Sequence, residues 1–442
     1  MYNLIIYLYL LGVAVYSLFN EKVRKMWRGE RAAFGVLKQK VDPKAKYVWF
    51  HAASLGEFEQ GRPLMEKLRR ERPEYKILLT FFSPSGYEVR KNYQGADIIC
   101  YLPLDTPVNA IRFLRLVRPV MAFFIKYEFW YNYLHILKHR HVPVYSVSSI
   151  FRSDQIFFRW YGRQYGRVLN CFTHFYVQNE QSRELLASIG INEVTVVGDT
   201  RFDRVLQIKE LSKQLPIVEN FLGVECGTES VELPAGVPVG ENMAAANTTL
   251  NTNSKPKVFV AGSSWPPDED IFIRYFNEHP DWKLIIAPHV IGEDHLQQIL
   301  SKLGDRKVIR YTEAEKSPSS IHQPLSSFDV LIIDCFGLLS SIYHYADVTY
   351  VGGGFGVGIH NVLEAAVWDV PVIFGPNNEK FQEAQGLKAA GGGFDFQTYE
   401  EFCQLMDRFA AEKSFLQQAG TAAGRFVQSL AGATDMIFKE VF

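Results

Sequence analysis

Residues 348–366 read VTYVGGGFGVGIHNVLEAA, and the order of side-chain types in that line decides the fold. Val348, Thr349, Tyr350 and Val351 are β-branched or aromatic, as a buried strand requires. Five glycines fall among the next seven positions, and a helical pattern opens near His360 and Asn361. A strand that runs through a bare backbone turn into a helix is the unit of a parallel α/β sheet. Unshielded N–H groups beside a helix N-terminus also make a seat for phosphate. The turn is neither a Walker loop, because no Gly-Lys-Ser/Thr follows, nor a dinucleotide fingerprint, because it lies deep in its series of strands.

The same grammar repeats outward. Apolar runs at 258–261, 284–287, 308–311, 330–333 and 372–374 flank the run at 348–351. An earlier series stands at 47–50, 77–82, 98–102, 120–125, 142–147, 175–177 and 194–197. Runs that are apolar throughout and alternate with helical patterns predict parallel sheets covered on both faces. Two series predict an α/β protein of the GT-B kind, two Rossmann-like domains with an interdomain cleft at the carboxyl ends of their strands. Between the series the chain turns to Gly, Pro, Ala, Asn and Thr with hardly any periodic apolar residue, which reads as a linker or surface insertion. The expected layout is an N-terminal anchor at 1–20, a first domain at 21–215, a linker at 216–256 and a second domain with C-terminal helices at 257–442. The stretch 400–442 either closes the second domain or crosses back to the first.

Bulk properties narrow the class. A chain of 442 residues exceeds one ordinary core. A net charge of −1 supplies no global field toward nucleic acid. Cys100, Cys171, Cys226, Cys335 and Cys403 show no CxxC or Cys/His spacing, so they read as reduced thiols, not as a disulfide frame or zinc site. Residues 4–19 carry no charge, and Lys22, Arg24, Lys25, Arg28 and Arg31 follow at once. A signal peptide has the opposite polarity. The run predicts a membrane-anchor helix, slightly shorter than the ~20 residues of a comfortable span, with the domains on the cytoplasmic side of the membrane. A buried first helix is the alternative.

Candidate chemistry gathers where apolar runs end. After the 47–50 run comes His51-Ala52-Ala53-Ser54-Leu55-Gly56-Glu57, which puts Glu57 in the first turn of a helix at the mouth of a cleft. A carboxylate there suits a general base, although Glu in a first turn also simply complements the helix dipole. Lys126-Tyr127-Glu128-Phe129-Trp130 ends another run, with Glu128 between a cation and three aromatics. In the second series Ser263, Ser264 and Trp265, then Pro288 and His289, then Phe336, Gly337 and Leu338, then Gly358 through Glu364 all close strands of one domain, where one ligand can reach them together. Asp268-Glu269-Asp270 has the spacing of a metal-binding Asp-x-Asp, but after Pro266-Pro267 it reads as a helix cap, and no metal is expected.

In this order the segments resemble the 3-deoxy-manno-octulosonic acid (Kdo) transferase family of bacterial lipopolysaccharide synthesis. The most specific marks are Ala53-Ser54-Leu55-Gly56-Glu57, Glu128-Phe129-Trp130, Gly198-Asp199-Thr200-Arg201-Phe202-Asp203 and Gly358-Ile359-His360-Asn361-Val362-Leu363-Glu364. The resemblance implies an inverting, metal-independent transfer of Kdo from CMP-Kdo to a lipid A precursor, with no cofactor beyond the donor. It makes Glu57 the base, gives Glu128 and Arg201 a part in the transition state, and puts CMP contacts on Pro288, His289, Phe336, Gly337, Leu338, Asn361, Val362, Leu363 and Glu364; Ser263, Ser264, Gly358 and His360, at strand ends of the same domain, are expected to bind the donor with them. The first domain then takes the acceptor and the second the donor. An acceptor with acyl chains accounts for the anchor and for the basic aromatic stretch at 157–167, both suited to an anionic membrane face. The chain departs from the family's commoner residues with Lys126 in place of Glu, Arg201 in place of Lys, Pro288 in place of Arg and Leu338 in place of Glu. The loss of Arg at 288 removes a counter-charge for the phosphate. Rival readings are a GT-B enzyme acting on a UDP-sugar, as transferase or epimerase, and a membrane-docked binding protein without chemistry.

Overall fold

The computed structural model describes residues 2–223, 256–316, 323–356 and 358–442. Most of the stretch expected as a linker lies outside them, and its first part, Pro216–Leu222, is a helix. The chain forms two compact units, Met1–Arg204 with Leu430–Phe442, and Val205–Ser429.

Unit 1 is a seven-stranded parallel sheet of β1 (Lys46–Ala52), β2 (Tyr75–Phe81), β3 (Ile98–Tyr101), β4 (Met121–Ile125), β5 (Val144–Ser149), β6 (His174–Val177) and β7 (Val194–Val196). Its order is β3-β2-β1-β4-β5-β6-β7. Unit 2 repeats the plan with β8 (Lys257–Ser264), β9 (Trp282–Pro288), β10 (Val308–Arg310), β11 (Val330–Ile332), β12 (Val348–Val351), β13 (Val372–Phe374) and β14 (Gly393–Asp395), ordered β10-β11-β9-β8-β12-β13-β14. Every apolar run is a strand. β14 is the addition, three residues long and begun by a glycine, too short to show a period. In each sheet the order reverses beside the first strand, between β1 and β4 and between β8 and β12, and ligands of open α/β sheets sit at such switch points.

Both faces of each sheet are covered, as the runs demanded. Trp49 is fully buried, edge-on to Phe124 with ring centroids 5.1 Å apart, while its Nε1–H donates to Thr80 Oγ1 at 2.8 Å, so the indole's polar handle is satisfied inside the core. Phe259, Phe272, Phe276 and Trp282 do the equivalent in unit 2.

Helix α1 (Tyr2–Tyr16) is too short for a comfortable span and is not a buried helix. Fifteen residues reach about 22 Å at 1.5 Å each, short of a ~30 Å hydrocarbon core, and among the described residues no helix is long and apolar enough to cross a membrane. Nor is α1 a buried helix, since Val13 is its one buried residue and Leu4, Leu8 and Leu11 are each more than 60% exposed. It lies along unit 1, where Tyr2 Oη donates to Asp105 Oδ2 at 2.6 Å and Asn132 Nδ2 donates to Asn3 Oδ1 at 2.8 Å. At its far end Arg24, in helix α2 (Glu21–Lys40), donates to the carbonyls of Ser17 and Leu18.

Helix α3 (Leu55–Glu71) follows β1 and buries Phe58, Leu64, Met65 and Leu68, a stripe at helical spacing. Helix α4 (Thr200–Glu210) carries Asp203, whose carboxylate accepts from the N–H groups of Gly432 (2.5 Å) and Thr434 (2.7 Å) and from Thr434 Oγ1 (2.6 Å). Those groups open the last helix, Ala433–Val441, so Asp203 caps it across more than 200 residues of sequence. The crossing-back alternative therefore holds for 430–442, and Ile437 and Phe438 pack into the unit 1 core.

Candidate active site

In unit 1 the expected residues meet at the β1/β4 switch point. Ser54 caps α3 and its oxygen accepts from Glu57 N–H at 3.4 Å. Glu57 then folds back, and its Oε2 accepts from the Ala53 N–H at 2.5 Å. Burial pushes its carboxyl up to about 7, the nearby Glu128 carboxylate adds to the rise, and the Ala53 N–H and Lys126 oppose it. Glu128 stands where β4 gives way to a turn, and Lys126 there has φ +64°, a left-handed conformation that a lysine adopts only under constraint. Glu128 Oε2 accepts from Trp130 Nε1–H at 2.6 Å and lies 3.1 Å from His51 Nε2.

Arg201 is also in unit 1. Its Nε and Nη2 hold Asp199 Oδ2 at 2.9 and 2.8 Å, and Gln60 Nε2 donates to both oxygens of the same Asp199 at 3.1 and 3.2 Å. Thr200 Oγ1 in turn donates to Gln60 O at 2.6 Å. The start of α4 is thereby stitched to α3 one turn beyond Glu57, and the positions of Arg201 and Glu57 are tied to each other.

In unit 2 the strand ends converge through rings. Trp265 stacks on His289 with centroids 4.7 Å apart, and His289 stacks on His360 at 4.4 Å. Trp265 Nε1–H donates to His360 Nε2 at 3.2 Å, so the proton of that imidazole sits on Nδ1. Burial lowers both histidines, and His360 is lowered further by His289. Ends of β8, β9 and β12 are thus locked together. Ser263, with φ +53°, turns the chain there.

The glycine turn is built by close approach. A Cβ on Gly354 would lie 2.5 Å from Gly375 Cα, and Gly353 has φ +97°. The Gly353 N–H donates to Asp268 Oδ2 at 3.0 Å, Trp265 N–H donates to the same oxygen at 2.9 Å, and Tyr350 Oη donates to Oδ1 at 2.7 Å. Asp268 therefore caps helix α5 (Pro266–Glu278), as expected, and also braces the turn.

The remaining expected residues sit in varied surroundings. Ser264 is fully buried and its hydroxyl donates to Glu269, so it is internal. Val362 and Leu363 are fully buried, which leaves only their backbone for a ligand. The helix after the turn is a single turn, Leu363–Ala366, not a long helix begun at His360. Glu364 is held by Asn361 Nδ2 at 3.0 Å and Ser340 Oγ at 2.6 Å. Phe336 and Gly337 (φ +92°) form an exposed turn ahead of Leu338, and Pro288 ends β9. Sequence reasoning did not single out Thr80 or Gln60, and it quoted His51 and Trp265 without giving them a role. For His51 and Thr80, a polar side chain on a strand that is otherwise apolar was the available signal.

A family model described as 3-deoxy-D-manno-octulosonic-acid transferase (kdotransferase) matches residues 28–204. A 3-deoxy-D-manno-octulosonic acid transferase of Aquifex aeolicus is 25% identical over 374 residues, 83% of this chain and 86% of that protein. One of Chlamydia muridarum is 26% identical over 427 residues, 91% of this chain and 89% of that protein. Among solved structures, UDP-GlcNAc 2-epimerase from Neisseria meningitidis bound to UDP-GlcNAc superposes with TM-score 0.57 at 14% identity, covering 89% of this chain and 98% of that one. Acinetobacter baumannii MurG gives 0.50 at 12% identity, covering 89% and 99%. These two share the fold alone. The chain thus carries the domain of the Kdo transferases over residues 28–204 and is a homologue of those proteins over most of its length.

Proposed function

We propose that the protein is an inverting, metal-independent glycosyltransferase that moves Kdo from CMP-Kdo to a lipid A precursor in lipopolysaccharide core synthesis. The observation that carries this reading is Glu57, a largely buried carboxylate raised to about 7 at a switch point, in a homologue of Kdo transferases. A base matched to neutral pH is what the step needs. The acceptor hydroxyl attacks the anomeric carbon, Glu57 takes its proton, and the bond to the CMP phosphate breaks with its electron pair leaving on CMP. Glu128 and Arg201 act on the charges that develop as that bond breaks. Unit 2 holds the donor through its glycine turn, the His289–His360 stack and Asn361, and unit 1 takes the acceptor.

The reaction takes place at the cytoplasmic face of the inner membrane, with α1 lying along the lipid surface instead of crossing it. Exposed Leu4, Leu8, Leu11 and Val15 on α1 and exposed Trp160 and Tyr161 support this, together with the cations from Lys22 to Arg31. Incubation with CMP-Kdo and a lipid A precursor, followed by mass spectrometry of the lipid, tests the reading, with calorimetry of CMP against UDP in parallel. The expected result is a lipid heavier by whole Kdo residues and binding of CMP. Absence of product, or binding of UDP in place of CMP, refutes it.

A further inference from the structure

His51 is fully buried, yet its ring bridges two polar partners. Nδ1 lies 2.9 Å from Thr80 Oγ1 and 3.2 Å from Thr80 O, and Nε2 lies 3.1 Å from Glu128 Oε2. The tautomer follows from the neighbours. Trp49 Nε1–H donates to Thr80 Oγ1, which uses a lone pair of the hydroxyl. The hydroxyl's own proton then points to His51 Nδ1 at 2.9 Å in preference to Phe50 O at 3.4 Å. Nδ1 is the acceptor, so the ring proton is on Nε2 and is donated to Glu128. Trp130 Nε1–H reaches the same oxygen from the other side. Trp49, Thr80, His51, Glu128 and Trp130 thus form one directed chain of hydrogen bonds, anchored in the core at one end and closed on a carboxylate at the other. Among the described residues no hydrogen bond falls on Glu128 Oε1.

We propose that His51 is a positioning residue which, locked by Thr80 in the tautomer that donates from Nε2, fixes the Glu128 carboxylate where its charge acts on Glu57. This rests on the reading of Glu57 as the base. The titratable groups that face Glu57 are Glu128, Lys126 and Tyr127, all from the turn after β4. Lys126 opposes the effect of Glu128, and Tyr127 is itself held near the cations of Lys126 and Arg152. Burial is the larger cause of the rise at Glu57, and among the described residues Glu128 is the acidic neighbour that adds to it, in an orientation set by two N–H donors. His51 touches neither substrate nor Glu57; it acts through Glu128.

The test follows Glu57 directly. In the full chain labelled with carboxyl-13C glutamate, the Glu57 signal, identified by its loss in Glu57→Gln, is titrated in wild type, His51→Leu, Thr80→Val and Thr80→Ser. Thr80→Val matters because it removes the hydroxyl that donates to His51 Nδ1 and leaves that nitrogen facing only a carbonyl, so that the tautomer donating from Nε2 to Glu128 is no longer locked. The expected result is a Glu57 titration at least one pH unit lower in His51→Leu and Thr80→Val, with wild-type behaviour rescued in Thr80→Ser. The acidic limb of kcat should move by the same amount while KM for CMP-Kdo stays put. An unchanged Glu57 titration in folded Thr80→Val overturns the proposal, and this variant decides the matter if His51→Leu does not fold. A wild-type protein that titrates as described but transfers no Kdo sinks the enzymatic reading and leaves this inference standing.

Discussion

Replacing Glu57 with Gln separates chemistry from stability in one variant. Gln keeps the shape and an oxygen for the Ala53 N–H, but takes no proton. Turnover should fall by ~10²–10⁴, the usual worth of a general base, with CMP affinity unchanged because the residues proposed to hold the nucleotide lie in the other unit. The stability effect has the opposite sign. Raising a carboxyl from 4.5 to about 7 means that its ionised form strains the fold, by about 3 kcal/mol at ~1.4 kcal/mol per pH unit. The wild-type protein is therefore unburdened below pH 4.5, where Glu57 is protonated folded and unfolded. It loses stability as pH rises from 4.5 to about 7, where the unfolded chain has already released its proton. Glu57→Gln escapes this loss. Urea unfolding of both proteins from pH 4 to 8.5 should show equal stability at the acid end and a gain for the variant that grows to about 3 kcal/mol and levels off above pH 7. A gain independent of pH, or turnover near that of wild type, refutes the reasoning.

Asn361→Ala removes the amide that holds Glu364 and should weaken CMP binding at least tenfold by calorimetry while the melting temperature barely moves; a collapsed melting temperature would mean the pair is structural. Asp203→Ala leaves three donors at the start of the last helix without their acceptor and should cost unit 1 about 2–4 kcal/mol in urea without changing CMP affinity, so equal stability would contradict the cap. Leu8→Glu with Leu11→Glu changes two exposed side chains, so folding should be intact while co-sedimentation with anionic vesicles falls more than tenfold. Undiminished sedimentation would mean that α1 does not meet lipid.

How the sequence was legible follows from what each signal depends on. The strands could be read because a buried parallel strand needs apolar residues at every position, and that demand leaves a local trace. β14 escaped because three residues hold no period. The extent of α1 has a comparable cause. The run at 4–19 is as apolar as a span, but the chain turns at 17–19, and Asn20 caps a new helix, its side chain accepting from Val23 N–H at 3.1 Å. Asp268 was read correctly as a cap, because a carboxylate after Pro-Pro is a local motif. Its second task, bracing Gly353, joins residues 85 apart and has no local trace.

The candidate site divides the same way. Sequence alone determined that carboxylates and glycines would stand at strand ends, since side-chain type and spacing dictate the strand-turn-helix unit and its open carboxyl edge. Only the tertiary structure decided which of them meet. It set Glu128 against Glu57, sent Thr80's proton to His51, tied Arg201 through Asp199 and Gln60 to α3, and stacked His289 between Trp265 and His360. Each of these relations joins residues from different strands of one sheet or from helices packed on it. Sheet order is fixed by how whole elements bury their faces, and the value of a buried charge depends on the distances that this packing sets.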